Sequence, residues 1–346
     1  MILPLIEELS KNGVTFTVAY MLEPEDLKDD YNRLGAKTVR LGKNPFKILN
    51  LLVKIIFDKQ TPVSIIHTHL VHASLIGRFL GRLLGIPVMT TRHYRERNKK
   101  KNLLYLLEDI TSKYSQRVIA ISNSVHGHLL DSNYVSPERC KMIYNPIDLK
   151  IFAGSQYTDI SKRHKIVFNG RFIELKGMKY LLEAFASVAP VLEKSQLVLM
   201  GRFEENDPIL ELIEKHEFRD RIRIKGFVQR AEIIAELEHA RVYVQPSLSE
   251  GLGLAALEAM GLKCPCIFSA VGGLVELAQE GKNAILFPAR NSERLAEAIL
   301  DLWGDIKKSE RLGTHAAKFV VNNFDSVKIA QEYYNQYEIL EERRAQ

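Results

Sequence analysis

Ser249-Glu250-Gly251-Leu252-Gly253-Leu254-Ala255-Ala256-Leu257-Glu258-Ala259-Met260 follows the short apolar run Arg241-Val242-Tyr243-Val244-Gln245, and the two together decide how the chain reads. The run has the make-up of a buried strand. After it come two glycines and then a helix-forming stretch. Glu250 and Glu258 stand eight residues apart across the predicted helix start. Positions eight apart on a helix share a face, so both carboxylates are expected to address one ligand. The free N–H groups and dipole of the helix tip between them favour an anion.

The same strand-then-helix rhythm extends outward in both directions. Upstream, β-branched runs occur at Val14 to Val18, Ser64 to His67 and Arg117 to Ile121. A second series runs through Lys165 to Phe168, Gln196 to Met200, Arg221 to Ile224, Val242 to Val244, Cys264 to Phe268 and Ala284 to Phe287. Amphipathic stretches such as Tyr180 to Val191 and Glu293 to Trp303 separate them. This alternation predicts an α/β protein with parallel sheets covered by helices on both faces. The polar stretch Asp148 to Lys165 lacks periodicity and reads as a linker. The chain therefore divides into a domain over 1–150, a second over 164–323, and a closing helical stretch over 324–346. Both domains are expected to be doubly wound and Rossmann-like, with ligands at the carboxyl ends of the strands and the cleft between domains as the site.

Bulk properties narrow the class. The chain has 346 residues, of which 46% are hydrophobic and 26% charged, and it carries a net charge of +6. No apolar run reaches the ~18 residues that a membrane span needs. The first residues, Met1 to Glu8, lack the basic start of a signal peptide. Cys140, Cys264 and Cys266 have no zinc-type spacing, and a reducing, cytoplasmic setting is expected. Arg92-His93-Tyr94-Arg95-Glu96-Arg97-Asn98-Lys99-Lys100-Lys101 concentrates positive charge ahead of the apolar Leu103 to Leu107. Arg92 to Lys101 is thus expected either to meet anionic lipid headgroups, placing the protein peripherally on the inner face of the cytoplasmic membrane, or to form a solvated loop and helix start. No nucleic-acid module accompanies the charge, so no nucleic-acid partner is expected.

Three further groups carry chemistry. In Asn169-Gly170-Arg171-Phe172-Ile173-Glu174-Leu175-Lys176-Gly177, Arg171 and Lys176 follow a strand, where two cations can neutralise a diphosphate. His93 ends a predicted strand and is a candidate to bond a sugar hydroxyl or a leaving-group oxygen. His67 and His69 flank Thr68 at another strand end; with no third ligand evident, they read as structural or as lining an acceptor. No Asp-x-Asp pair occurs, so no metal-bridged diphosphate is expected, and Arg171, Lys176 and helix dipoles must handle the charge. Hydroxyl acceptors beside a phosphate cradle suit a nucleotide-sugar. The rival reading is a dinucleotide enzyme, because Gly251-x-Gly253-x-x-Ala256 loosely matches that fingerprint. Pro246 to Glu250 displace the first glycine from the strand, and the next strand, ending near Ser269, lacks the required acid there.

These residues resemble the retaining GT-B glycosyltransferases of family 4, the glycosyl transferases group 1. Ser249 to Glu258 looks like the family's Glu-x7-Glu motif, and Asn169-Gly170-Arg171 with Lys176-Gly177 like its second signature. Ile119 to Ser124, Ile143 to Asp148, Val271 to Glu276 and Gly281 to Phe287 match further segments. The resemblance implies a donor site of Arg171, Lys176, Val228, Glu250, Gly251, Leu252, Gly253, Leu254 and Glu258. In that site Glu258 bonds the ribose, Arg171 and Lys176 hold the diphosphate, and Glu250 contacts the sugar. Gly226-Phe227-Val228 would edge the base, and His93 would approach the transferring sugar. The implied catalytic set is His93, Glu250, Arg171 and Lys176. The implied substrate is a nucleotide-diphosphate sugar of UDP or GDP type, with no metal or other cofactor. The acceptor is a glycan or lipid-linked precursor of cell-surface polysaccharide or lipopolysaccharide. Phe324 to Glu342 would cross back onto the N-terminal domain.

Two departures qualify the match. Family members begin with a strand and a glycine-rich loop, whereas Met1 here falls within what matches the following helix. The first strand of the N-terminal domain is thus expected to be missing, and the alternative reading is a catalytically impaired nucleotide-sugar-binding protein of the same fold. In Gly201-Arg202-Phe203, an arginine stands where an acid often follows the glycine.

Overall fold

A computed structural model describes residues 2–21, 28–93, 102–155 and 158–345. The described chain separates into two compact units. One contains residues up to 148 together with 324–346, and the other spans 149–323.

In the second unit the strands are β7 (Lys165–Asn169), β8 (Gln196–Met200), β9 (Ile222–Gly226), β10 (Ala240–Gln245), β11 (Cys266–Ser269) and β12 (Ile285–Phe287); β1 to β6 belong to the first unit. They form one sheet in the order β12-β11-β10-β7-β8-β9, every pair parallel. The chain winds outward through β7-β8-β9, then returns to start β10 against β7 and winds the other way. The switch between β7 and β10 is where such a sheet opens a crevice at its carboxyl ends. All six residues of β10 are buried, as a central parallel strand covered on both faces requires. Helices Met178–Val188 and Ser292–Gly304 close one face through Leu181, Phe185, Leu295 and Ile299, all buried.

The first unit holds β1 (Thr17–Tyr20), β2 (Lys37–Arg40), β3 (Ile66–His69), β4 (Val88–Arg92), β5 (Arg117–Ala120) and β6 (Cys140–Met142). Its strands fall into two parallel sheets, β1-β2 and β3-β4-β5-β6. β4 and β5 are buried along their whole length, while β1 has no buried residue. Helix Ser326–Ala345 packs on helix Ile2–Lys11, and Arg344 donates to the carbonyls of Val63 and Ser64 at 3.1 and 3.0 Å.

Several local expectations shift. The first strand starts at Thr17 rather than Val14, and Cys264 and Pro265 precede β11 rather than belonging to it. Helix Ile306–Asn323 was not singled out by periodicity, and its packing against Leu254–Gly261 explains its burial. The expected linker is not plain coil. It holds two short 3-10 turns, Leu149–Phe152 and Ile160–Lys162. Ile160 is buried, and Arg163 donates to the carbonyls of Thr158 and Ala240. The lipid role expected of Arg92 is corrected as well. Its guanidinium is 3% exposed and ion-paired with Asp109 at 2.9 Å and Glu108 at 3.4 Å, so it is committed to the core. Tyr94 to Lys101 lie outside the described residues.

Candidate functional site: the carboxyl ends of β7 and β10

The switch point brings together two loops. The first leaves β7 as Gly170-Arg171, makes a 3-10 turn at Glu174–Lys176, and enters the next helix through Gly177. The second leaves β10 as Pro246 to Gly253 and enters helix Leu254–Gly261. They are joined by backbone: the Leu248 amide donates to the Leu175 carbonyl at 2.8 Å. Gly177 sits at φ 65, and a Cβ there would stand 2.0 Å from the Pro246 carbonyl oxygen. Only glycine permits both the left-handed backbone and the close approach.

This union places Lys176 against Glu250, Nζ to Oε2 at 2.5 Å, with both side chains largely shielded. Glu250 also accepts from Ser247 Oγ at 3.2 Å. Ser247 in turn accepts from Gln245 Nε2 at 2.9 Å, and Gln245 Oε1 accepts from the Tyr243 hydroxyl. A chain of buried hydrogen bonds thus runs from the core strand to the carboxylate and fixes its direction. Arg171 is exposed on the same loop as Lys176. Ser247 and Gln245 were not foreseen. Their signal was present, since polar residues ending an apolar strand must find partners.

A third loop supports the second. The Gly273 amide donates to the Glu250 carbonyl at 3.1 Å, and a Cβ on Gly272 would lie 2.0 Å from that same oxygen. The glycine pair of Val271 to Glu276 therefore lets the turn after β11 press against the backbone of Glu250 and Gly251.

The helical argument for the acid pair needs correction. The helix begins at Leu254, so Glu250 lies in the loop before it, and helical spacing does not align it with Glu258. The two carboxylates have different partners. Glu258, on the helix, meets Arg230 at 3.2 Å. Arg230 opens helix Arg230–Glu238 just beyond Val228, which is half-buried after β9. Sequence reading missed Arg230, whose exposed helix start gives no distinguishing pattern. Gly251 to Leu254 line the turn, with Gly253 at φ 100 as the helix cap. Arg202, after β8, lays its guanidinium over the Phe227 ring at 4.2 Å. Arg171, Lys176, Val228, Glu250, Gly251 to Leu254 and Glu258 all belong to this unit.

His93 belongs to the other unit, directly after β4. Its Nε2 is 2.9 Å from His69 Nδ1. His67, two residues before His69, bonds Tyr337 at 2.7 Å and Thr91 at 2.8 Å. Burial pushes His67 down to about 3 and His93 down to about 4, and lowers His69 well below the ordinary imidazole range. All three rings are therefore neutral at pH 7, each able to donate at one nitrogen and accept at the other. Among the described residues no group of three or more His, Cys, Asp or Glu is arranged to hold a metal ion.

Comparison with known proteins identifies the family and the fold. The family described as Glycosyl transferases group 1 matches residues 155–319, and Glycosyltransferase Family 4 matches residues 1–151. The chain is 29% identical over 288 residues to the UDP-Gal:alpha-D-GlcNAc-diphosphoundecaprenol alpha-1,3-galactosyltransferase of Escherichia coli, covering 78% of this chain and 74% of that one. It is 25% identical to the capsular polysaccharide biosynthesis glycosyltransferase CapM of Staphylococcus aureus, covering 84% and 81%. The crystal structure of Anabaena HepE in complex with UDP superposes with a TM-score of 0.81 at 21% identity, over 97% of this chain and 95% of that one. The chain belongs to the group 1 glycosyltransferases and has their GT-B fold.

Proposed function

We propose that this enzyme transfers a hexose from a UDP- or GDP-sugar, with retention and without a metal ion, to a glycan or lipid-linked acceptor in cell-surface polysaccharide or lipopolysaccharide synthesis. The observation that carries the donor reading is the Lys176–Glu250 pair at the switch point, with Arg171 on the same loop and the amides of Gly251 to Leu254 beside it. Arg171 and Lys176 hold the diphosphate. As the bond from the anomeric carbon to phosphate oxygen breaks, charge grows on the leaving group. Fixed cations and amides stabilise that charge more than the ground state. Glu250 orients the sugar and Glu258 bonds the ribose. Val228 edges the base, and His93 is the candidate to address the transferring sugar. The acceptor hydroxyl attacks from the same face, its oxygen bonds the anomeric carbon, and its proton passes to the departing phosphate. The E. coli and S. aureus relatives, whose names carry a lipid-diphosphate acceptor and a capsule, support the acceptor class. A peripheral position at the membrane's inner face suits such an acceptor, with Lys99 to Lys101 as the expected contact.

Incubating the chain with labelled UDP- and GDP-sugars and membrane lipid extract tests the reading. Transfer, or slow donor hydrolysis, is expected; neither reaction with any donor would refute it. One observation favours the impaired binding protein instead: the first unit's strands form two sheets rather than one. Calorimetric binding of UDP or GDP without turnover would select it.

A further inference from the structure

Helix Pro45–Ile56 is apolar on two faces. Ile48 is buried, and Leu51, Leu52, Ile55 and Ile56 are half-buried, so one face seats the helix on its unit. Phe46, Leu49, Val53 and Phe57 face outward, 83%, 47%, 37% and 64% exposed. At helical spacing these four fall within one stripe about 80° wide. Lys47 and Lys54 flank the stripe on one side, Lys43 precedes it and Lys59 follows it. No acidic residue occurs from Lys43 to Phe57, and Asp58 is held by Lys37 at 3.2 Å. Among the described residues, none of the four lysines forms an ion pair. The helix start is fixed, because the Asn44 side chain accepts from the amides of Phe46 and Lys47. The exposed rings are therefore mounted on an ordered element.

Two phenylalanines, a leucine and a valine in one solvent-facing row mark a surface built to be covered. We propose that this helix lies in the headgroup boundary of an anionic bilayer, the four apolar side chains reaching the acyl region and the four lysines among the phosphates. Charge complementarity selects lipid over a protein partner. The flank is uniformly positive, and each lysine near an anionic surface adds attraction to the apolar anchoring. The inference rests on the membrane side of the proposed function and on nothing at the donor site. The helix is also separate from Arg92–Lys101, so the two contacts can fail independently.

Sedimentation of the whole chain with vesicles tests it. Binding is expected with equal parts phosphatidylglycerol and phosphatidylcholine, and little with phosphatidylcholine alone. F46S/F57S and K47E/K54E are each expected to weaken binding about tenfold or more, the scale of losing apolar anchoring or two basic contacts. Circular dichroism should match the parent. In F46W, tryptophan emission should shift blue on adding anionic vesicles and stay fixed with neutral ones. Parent-like binding by F46S/F57S overturns the proposal. If charge reversal at Lys99, Lys100 and Lys101 then abolishes binding, the membrane reading survives and this helix is excluded. Self-association of the parent that F46S/F57S abolishes, without vesicle binding, would also overturn it.

Discussion

Glu258 and the buried histidines carry separable consequences. Glu258 is paired with a half-exposed arginine, and such pairs add only about 0–1 kcal/mol to stability. Glu258→Ala is therefore expected to leave Tm nearly unchanged while weakening UDP or GDP binding by about 1.5–3 kcal/mol, the scale of a hydrogen bond to a charged group. Calorimetric titration checks this, and parent-like affinity would remove the ribose role. The histidines govern acid stability. Folded values of about 3 for His67 and about 4 for His93 lie below the unfolded value, near 6.5. Between those values the unfolded chain binds more protons, so stability is full above about pH 6.5 and falls as the pH drops toward 4. At pH 5 each ring is expected to cost on the order of 1–2 kcal/mol relative to pH 7. Thermal melts of His93→Gln should lose part of that acid slope. If the melts track the parent from pH 7 to 5, His93 is not held neutral by burial.

Elements position the site through backbone approaches that sequence patterns record only as glycines. The glycines of Val271-Gly272-Gly273 admit either a close backbone approach or a tight turn, and the structure shows the approach, against the Glu250 carbonyl. Gly272→Ala must push that oxygen away and hold φ near +50, a strain of about 1–3 kcal/mol. We expect a lower Tm and a raised donor KM, because the displaced backbone carries Glu250 and its hold on Lys176. An unchanged KM with a lowered Tm would confine the glycine to folding. Strands of the second unit were legible to within a residue or two, since central parallel strands are continuous apolar runs. β2 (Lys37-Thr38-Val39-Arg40) and β6 (Cys140-Lys141-Met142) escaped notice because each is only three or four residues long and mixes charge with few apolar side chains. The ion pairs of Arg92 were illegible for a related reason: a charge run in sequence does not reveal which member turns inward.

The molecule is assembled from units that are not sequential. The first takes its last helix from residues beyond the second, and the polar Asp148 to Lys165 stretch marks only one of the two crossings. The family resemblance points to the other at Phe324, and burial gives the physical reason. Phe324, Ile329, Ala330, Tyr333, Tyr337 and Leu340 are all buried, and Tyr337 holds His67. Full burial of an apolar side chain contributes about 1.5–3 kcal/mol, so the segment supplies on the order of 10 kcal/mol to its unit. That equals the whole stability of an ordinary domain. The second unit has its own sheet and core, and none of those six residues belongs to it. Deleting 324–346 is therefore expected to unfold the first unit selectively. Differential scanning calorimetry should show the remaining transition rising with added UDP or GDP, because the donor residues survive in 149–323. Loss of both transitions would mean that the second unit cannot fold without the first. Retention of both would mean that the closing helix is an accessory rather than part of the first core.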